Sequence, residues 1–305
     1  MSRPTSPETA VSVLLAALLL AASVPALAAE GGTPAPAGPP AAPVGEKFAE
    51  PTAEEVALRE LGALIVKGAA TAELDLSYNR QTRETFPILR AEQRTATATV
   101  VARYAPANNL QLSARLPGVY RRTQLFGDPA ALGGTAKSAG ESDTYLGDMA
   151  ASVLGVIVRE GTGRPTVTLS LDGVIPTGPG DAAVGGGLTL SKSYDPVVIF
   201  FGASYLYGFN PDTLDPRRSL AQNNIGITFG YAYAVNDMLA LSGQLVGIYR
   251  TPLGGPLSPE KESYQLQFGL TWLLRKGLFV EPAVGVAVGS ASPDFTFSIR
   301  LPYTF

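Results

Sequence analysis

The sequence predicts an all-β protein: a transmembrane antiparallel β-barrel of about twelve strands, with ten or fourteen if one hairpin is merged or split. Three observations support this fold. The closing segment alternates apolar and polar residues, the chain carries an export signal but no second long apolar run, and its connections alternate between long and short. Each pattern is typical of proteins that cross an outer membrane with strands.

The last eleven residues, 295–305, alternate without interruption. Aromatic and aliphatic side chains occupy every odd position, whereas polar residues and Pro302 occupy the even ones. Because successive side chains of a strand point to opposite faces, one face is apolar and the other polar. The segment therefore predicts the last strand of a barrel, ending at the periplasmic rim. We expect the barrel-assembly machinery to recognise it.

The composition fits a protein that faces lipid. Of the 305 residues, 46% are hydrophobic and only 16% are charged, against about 25% in soluble domains. The net charge of −3 gives no reason to expect a nucleic-acid partner. The chain has no cysteine, so disulfides do not hold it. A barrel does not need them, because closure pairs every strand edge.

The first 66 residues predict three segments ahead of the barrel. Residues 1–28 read as a signal peptide, since Arg3 precedes an apolar run and the small-x-small site Ala26-Leu27-Ala28 follows it. That run is shorter than the ~20 residues of a spanning helix. Residues 29–50 form an Ala/Pro-rich linker. A capping box at residues 52–55 predicts a short periplasmic helix over 51–66, acting as a spacer, a pore plug or a contact with another copy.

The barrel is expected over residues 70–305, and its strand-like runs alternate with long and short connections. The predicted strands are 70–80, 93–105, 109–121, 144–158, 165–176, 186–194, 197–208, 222–233, 238–250, 263–274, 277–288 and 294–305. Long connections, such as 81–92 and 122–143, follow the odd strands, and short turns follow the even ones. This is the pattern of extracellular loops and periplasmic turns, and it places both termini in the periplasm of a Gram-negative bacterium.

Tyrosine placement favours a membrane barrel over a soluble sandwich. All twelve tyrosines fall at or near predicted strand ends, where aromatic girdles meet lipid headgroups, and Tyr145 is assigned to the outer girdle. A sandwich core would not sort them to the ends. The strongest candidates for membrane-interface aromatics are Tyr205, Tyr207, Tyr231, Tyr233, Trp272, Tyr303 and Phe305.

Charged residues within strands fall mostly on the opposite, polar face. A Lys or Arg at the lipid midplane of a barrel costs about 2–4 kcal/mol, so these side chains should line the lumen. They either pair across the interior and hold the barrel, or form a polar constriction that selects solutes. Five acids against four arginines argue against a strongly anionic or cationic pore. The candidates are Glu73, Asp75, Arg103, Arg115, Arg121, Asp148, Asp172, Glu281 and Arg300.

The missing residue types argue against catalysis. The chain has neither histidine nor cysteine. Hydrolytic sites that pair Ser or Asp with His cannot be assembled, and zinc and transition metals lose their usual ligands. We therefore expect no enzyme, no catalytic residues, no metal site and no cofactor.

Three stretches of the sequence resemble a known family. They are Gly147-Asp148 with the run 169–178, the run 191–198, and the ending from Ser292 to Phe305. In these stretches the chain resembles outer-membrane proteins of the "meta-pathway of phenol degradation" type, over roughly residues 60–305. The resemblance implies a transporter, with aromatic compounds as solutes of some members. It provides no catalytic residues to carry over.

These observations lead to one main expectation about function. We expect an outer-membrane channel or transporter for passive passage of small molecules, aromatic or hydrophobic ones included, with membrane lipid as its surroundings. The main alternative is a structural or partner-binding barrel with an occluded lumen. A translocator for a secreted passenger is a third reading, but the short linker before the helix leaves no room for a passenger domain.

Overall fold

The computed structural model describes residues 67–85, 89–127, 139–180, 182–209, 223–236, 238–251, 262–289 and 292–305. The predicted signal peptide, linker and helix 51–66 lie outside these residues. The strands are β1 (Ala70–Thr85), β2 (Leu89–Ala107), β3 (Leu110–Gly127), β4 (Ala139–Leu146), β5 (Met149–Val158), β6 (Thr166–Ile175), β7 (Ala183–Tyr194), β8 (Val197–Gly208), β9 (Asn223–Asn236), β10 (Leu239–Thr251), β11 (Glu262–Arg275), β12 (Leu278–Ala287) and β13 (Phe295–Thr304).

The strands form one closed antiparallel barrel. Apart from β4 and β5, which do not pair with each other, each strand pairs with its sequence neighbours, and the last strand pairs with the first from Thr71 opposite Thr304 to Arg80 opposite Phe295. β4 and β5 both pair with β3, so together they occupy a single position in the wall. The wall therefore has twelve strand positions, and the predicted transmembrane antiparallel barrel is confirmed.

The barrel has two ends, which are named here by the chain. At the terminal end β1 begins and β13 ends, and the backbone N–H of Phe305 donates to the carbonyl of Ala70 at 2.9 Å. At the far end lies the hairpin between β1 and β2. No helix in the part of the chain that the structure describes has the length and apolarity to span a bilayer.

The wall strand predicted as 144–158 is interrupted at Gly147-Asp148, between β4 and β5. The turn after β6 meets this gap and forms hydrogen bonds with both of its residues. Thr177 Oγ1 donates to the carbonyl of Gly147 at 2.9 Å, and the backbone N–H of Gly178 donates to Asp148 Oδ1 at 2.9 Å. Two of the motifs quoted for the family resemblance therefore touch each other here.

The first three strands are longer than the alternation predicts. β1, β2 and β3 contain 16, 19 and 18 residues, whereas about 9–11 residues suffice to cross a bilayer. The additional residues lie at the far end, in segments that were predicted as the loops 81–92 and 122–143. These segments carry Arg, Gln, Glu and Thr on both faces, so an alternation of apolar and polar residues cannot reveal them.

The two faces of the wall differ in chemistry. Large apolar side chains such as Leu171, Ile227 and Phe229 are 51–62% exposed on the outer surface. On the inner surface the buried side chains include Thr71, Thr168 and many other polar residues. An exposed apolar exterior around a polar interior is the arrangement of a barrel in lipid.

The turn between β5 and β6, at the terminal end, is tied to β7 by a charged cluster. Glu160 accepts hydrogen bonds from the backbone N–H and the hydroxyl of Ser193, both at 3.0 Å, and pairs with Lys192 Nζ at 3.0 Å. Burial by itself would raise the pKa of Glu160, but these donors together lower it below its usual value. The carboxylate therefore stays ionised at neutral pH.

We predict that Gly178→Ala destabilises the barrel. A Cβ at Gly178 would overlap the carbonyl oxygen of Leu146 and the backbone of Gly147, so the turn must move away from the strand break. Overpacking of this kind costs about 1–3 kcal/mol. The free energy of unfolding, from guanidinium titration of the refolded barrel, measures the effect.

Gly163→Ala is the matched control, because a Cβ at Gly163 meets no atom within 4 Å. Equal unfolding free energies for the two variants would show that the turn does not pack against the break.

Candidate functional site

The charged residues predicted to line the lumen occupy inward-facing positions. Most of them surround a cavity of about 670 Å³, which is bounded by β1–β3, by β5–β8 and by Arg300 of β13. A second cavity of about 220 Å³ lies along β10–β13. Glu281 and Arg121 join the inner face through their strand registers, opposite Arg300 and Asp143.

Five of the predicted residues meet on four adjacent strands. Arg103 of β2 forms an ion pair with Glu73 of β1. Arg300 of β13 pairs with Glu281 of β12 at 3.4 Å and lies opposite Asp75 of β1 in the register. Both ion pairs join neighbouring strands, so they run along the wall and do not cross the lumen.

Asp75 and Arg300 lie at the boundary between the two cavities, since both residues line both cavities. The Oδ1 atom of Asp75 is buried and accepts no hydrogen bond from the described residues. A buried acceptor that lacks a partner costs free energy unless water or a solute reaches it. This pair is therefore the candidate constriction of the lumen.

The opposite wall of the larger cavity holds the other predicted charges. Asp172 accepts a hydrogen bond from Ser170 Oγ at 2.9 Å, and Asp148 is held by Gly178. Arg115 is exposed to the cavity and forms no ion pair within the described ranges. It is thus a cation that a solute can reach from the lumen.

Arg121 lies nearer the far end, apart from the other predicted charges. Its Nη2 donates to the hydroxyl of Tyr145 at 2.6 Å, and its guanidinium lies 5.5 Å from the centroid of that ring. The assignment of Tyr145 to an outer aromatic girdle is therefore wrong. Its register opposite Val119 places it inside, where Arg121 attracts both the hydroxyl and the ring face.

A ladder of amides, two of which line the smaller cavity, was not predicted from the sequence. Gln244 Nε2 donates to Gln267 Oε1 at 2.8 Å, and Gln267 Nε2 donates to Gln265 Oε1 at 2.7 Å. Gln265 Nε2 then donates to Thr296 Oγ1 at 2.6 Å. The signal in the sequence was three glutamines on the polar face of predicted strands.

Part of the interior is apolar, and sequence reasoning gave no sign of it. Val198, Ala232 and Ala240 form a buried cluster on β8–β10, and Phe200 of β8 and Phe279 of β12 are also buried. These side chains fill space inside the wall.

The predicted interface aromatics lie on the outer surface, most of them near a strand end. Their side chains are between 37% and 72% exposed, with Phe305 at the upper limit. Contact with lipid headgroups at these positions is a proposal that the placement supports. The residues are Tyr205, Tyr207, Tyr231, Tyr233, Trp272, Tyr303 and Phe305.

Within the residues that the structure describes, no group of three or more Asp or Glu side chains is placed to hold an ion. The guanidinium, carboxylate, amide and hydroxyl groups that line the lumen can form hydrogen bonds and electrostatic interactions with a solute.

The fold and its polar interior define a transmembrane β-barrel of the outer-membrane type. The chain is similar in fold to an outer membrane channel from Pseudomonas putida F1, with a TM-score of 0.61 and 12% identity over 80% of this chain and 97% of that one. The NanC porin gives a TM-score of 0.48 with 10% identity, covering 76% of this chain and 98% of the porin. The autotransporter NalP translocator domain from Neisseria meningitidis gives 0.47 with 11% identity, over 82% and 92% of the two chains. No family model matches the sequence.

We predict that Arg103→Met destabilises the barrel by about 3 kcal/mol, because it leaves the Glu73 carboxylate without its partner. The Glu73 side chain is only 6% exposed, so water solvates the unpaired carboxylate poorly. Adding Glu73→Gln to this variant should restore most of the stability. The free energies of unfolding of the single and double variants, from guanidinium titration, measure the interaction energy between Arg103 and Glu73.

Arg115→Met serves as the control. It also removes a lumen arginine, but one without an ion pair in the described structure, so its cost should stay within about 0.5 kcal/mol. Equal losses for the two arginine variants would mean that the ion pair does not hold the wall.

Proposed function

We propose that the protein is a channel for passive passage of small molecules across the outer membrane. The observation that carries the proposal is the polar lumen, in which two cavities both reach Asp75 and Arg300. A wall of twelve strands lies between barrels of eight, which side chains fill, and barrels of sixteen to eighteen, which enclose a wide channel. A narrow pore with one constriction fits this size.

The proposed orientation places both termini in the periplasm. Long connections on the far side and short turns on the terminal side support it, because this asymmetry is usual in outer-membrane barrels. In this orientation Arg121, which lies nearer the far end, faces the extracellular approach to the lumen. The closing strand, with Tyr303 and Phe305, then ends at the periplasmic rim, where the barrel-assembly machinery recognises it.

For the solute we propose small polar and aromatic molecules, without strong selection for charge. Among the nine lumen candidates, five acids face four arginines, so attraction for either ion sign is weak. The resemblance to the phenol-degradation family adds aromatic compounds to the candidate solutes. Arg115, which is open to the cavity, is suited to the carboxylate of an aromatic acid.

The second candidate function is a structural or partner-binding barrel with an occluded lumen. The observation that favours it is the position of the Asp75–Arg300 pair between two separate cavities. If this pair seals the lumen, the barrel conducts nothing. Conductance therefore separates the two functions.

We predict conductance in planar bilayers and an ion preference that shifts in opposite directions in two variants. Arg300→Gln removes a positive charge at the constriction and should raise the cation-to-anion permeability ratio. Asp75→Asn removes a negative charge and should lower it. A unit charge at about 4 Å in water contributes about 1 kcal/mol, or roughly fivefold in the ratio.

Lys276→Gln is the control, because Lys276 is exposed in the turn between β11 and β12. The cation-to-anion permeability ratio of this variant should stay close to that of the parent protein. Folded protein that gives no current, and no swelling of liposomes in sugars, amino acids or aromatic acids, would exclude the channel and favour the occluded barrel.

A further inference from the structure

Three arginines form a row on the outside of the barrel at its far end. Arg80 of β1 lies directly opposite Arg94 of β2, and Arg94 lies directly opposite Arg122 of β3. All three share the outward face with Tyr78 and Tyr120, one step nearer the membrane in the same registers. Neighbouring strands are about 4.8 Å apart, so the row spans only about 10 Å.

The row is electrostatically unfavourable unless an anion is present. Like charges directly opposite each other destabilise a sheet. Glu92 compensates part of the repulsion, with its Oε1 lying 3.1 Å from Arg80 Nε and 2.7 Å from Arg94 Nε. Three cations and one carboxylate leave two positive charges in excess.

The donors that remain point to an external ligand. Both contacts with Glu92 use the Nε atoms, so the Nη groups of Arg80 and Arg94 take no part in them. Both arginine side chains are 45% exposed. Arg122 is exposed and has no ion pair or hydrogen bond within the described residues. Guanidinium forks of this kind match the oxygen geometry of phosphate.

The position of the row relative to the membrane indicates which phosphate it meets. Tyr78 and Tyr120 are half-exposed on the outer face, where tyrosine rings lie at the level of lipid headgroups. Two residues along a strand span about 7 Å, so the guanidinium groups lie just beyond this level. Soluble polyanions approach from bulk solution, but lipid phosphates are concentrated at this height.

We propose that Arg80, Arg94 and Arg122 form a binding site for the phosphate groups of a lipid in the leaflet at the far end. In the proposed orientation this leaflet is the outer one, and the ligand is a phosphorylated glycolipid. The site lies on the outer surface of the barrel, so it does not depend on conduction through the lumen. The site holds the neighbouring lipid against the barrel. It thereby sets the height at which β1–β3 emerge from the membrane.

The test uses the refolded full-length barrel in detergent, titrated with bisphosphorylated lipid A and followed by native mass spectrometry. Arg122→Gln should weaken binding several-fold, because each charge-assisted contact to phosphate contributes on that scale. The triple variant Arg80→Gln, Arg94→Gln, Arg122→Gln should weaken it by about tenfold or more. Heat-modifiable migration on a gel verifies that each variant is folded. Arg122→Gln breaks no contact in the described structure, so it keeps the test valid if the triple variant fails to fold.

The matched control is Arg250→Gln, which removes the same charge on β10 from an inward-facing position opposite Asn224. Its affinity for lipid A should equal that of the parent protein. Equal binding of lipid A by Arg122→Gln and the parent would overturn the proposal, as would equal binding of the same lipid without phosphates. Full competition by millimolar inorganic phosphate would identify a free-anion site and would also overturn the lipid assignment.

Discussion

The structure depends on one constraint: in the hydrocarbon core of a membrane, every backbone N–H and C=O group must find a partner within the protein. A sheet meets this requirement only when it closes, and here β1 pairs with β13 over ten residues. The chain has no disulfide to support the closure, so the hydrogen-bonded seam must suffice. Where the wall is interrupted, at Gly147-Asp148, the turn residues Thr177 and Gly178 form hydrogen bonds with these two residues.

Closure also determines the chemistry of the two surfaces. Once the sheet is a cylinder, the period of two along each strand sends one set of side chains into lipid and the other into the lumen. Charges such as Glu73 and Arg103 can then lie within the membrane span only on the inside, where they pair between neighbouring strands. The pairs stay against the wall, and the space that remains is the route we propose for small solutes.

The sequence was sufficient for the architecture because period-two patterns and connection lengths are local signals. It placed Arg300 and Glu281 on one face, but their pairing depends on the register between β12 and β13, which no local pattern reveals. Tyr145 was assigned to the outer face, because the pattern around the strand break does not show that Arg121 binds it inside. The buried Phe200 and Phe279 were missed because apolar residues on an inner face resemble lipid-facing ones in sequence. The arginine row needs the alignment of three strands before it can be recognised.

If the barrel is the channel that we propose, water passes along the inner face through both cavities. The absence of native cysteine allows a direct measurement, with single cysteines introduced into protein held in liposomes. Ser113→Cys probes the larger cavity, Ser298→Cys the smaller one, and Leu112→Cys the outer face. We expect a small water-soluble thiosulfonate to modify the two inner cysteines rapidly and to leave the outer one unmodified. An unreactive Cys at position 298, or faster reaction at position 112 than at 113, would rule out a water path through both cavities.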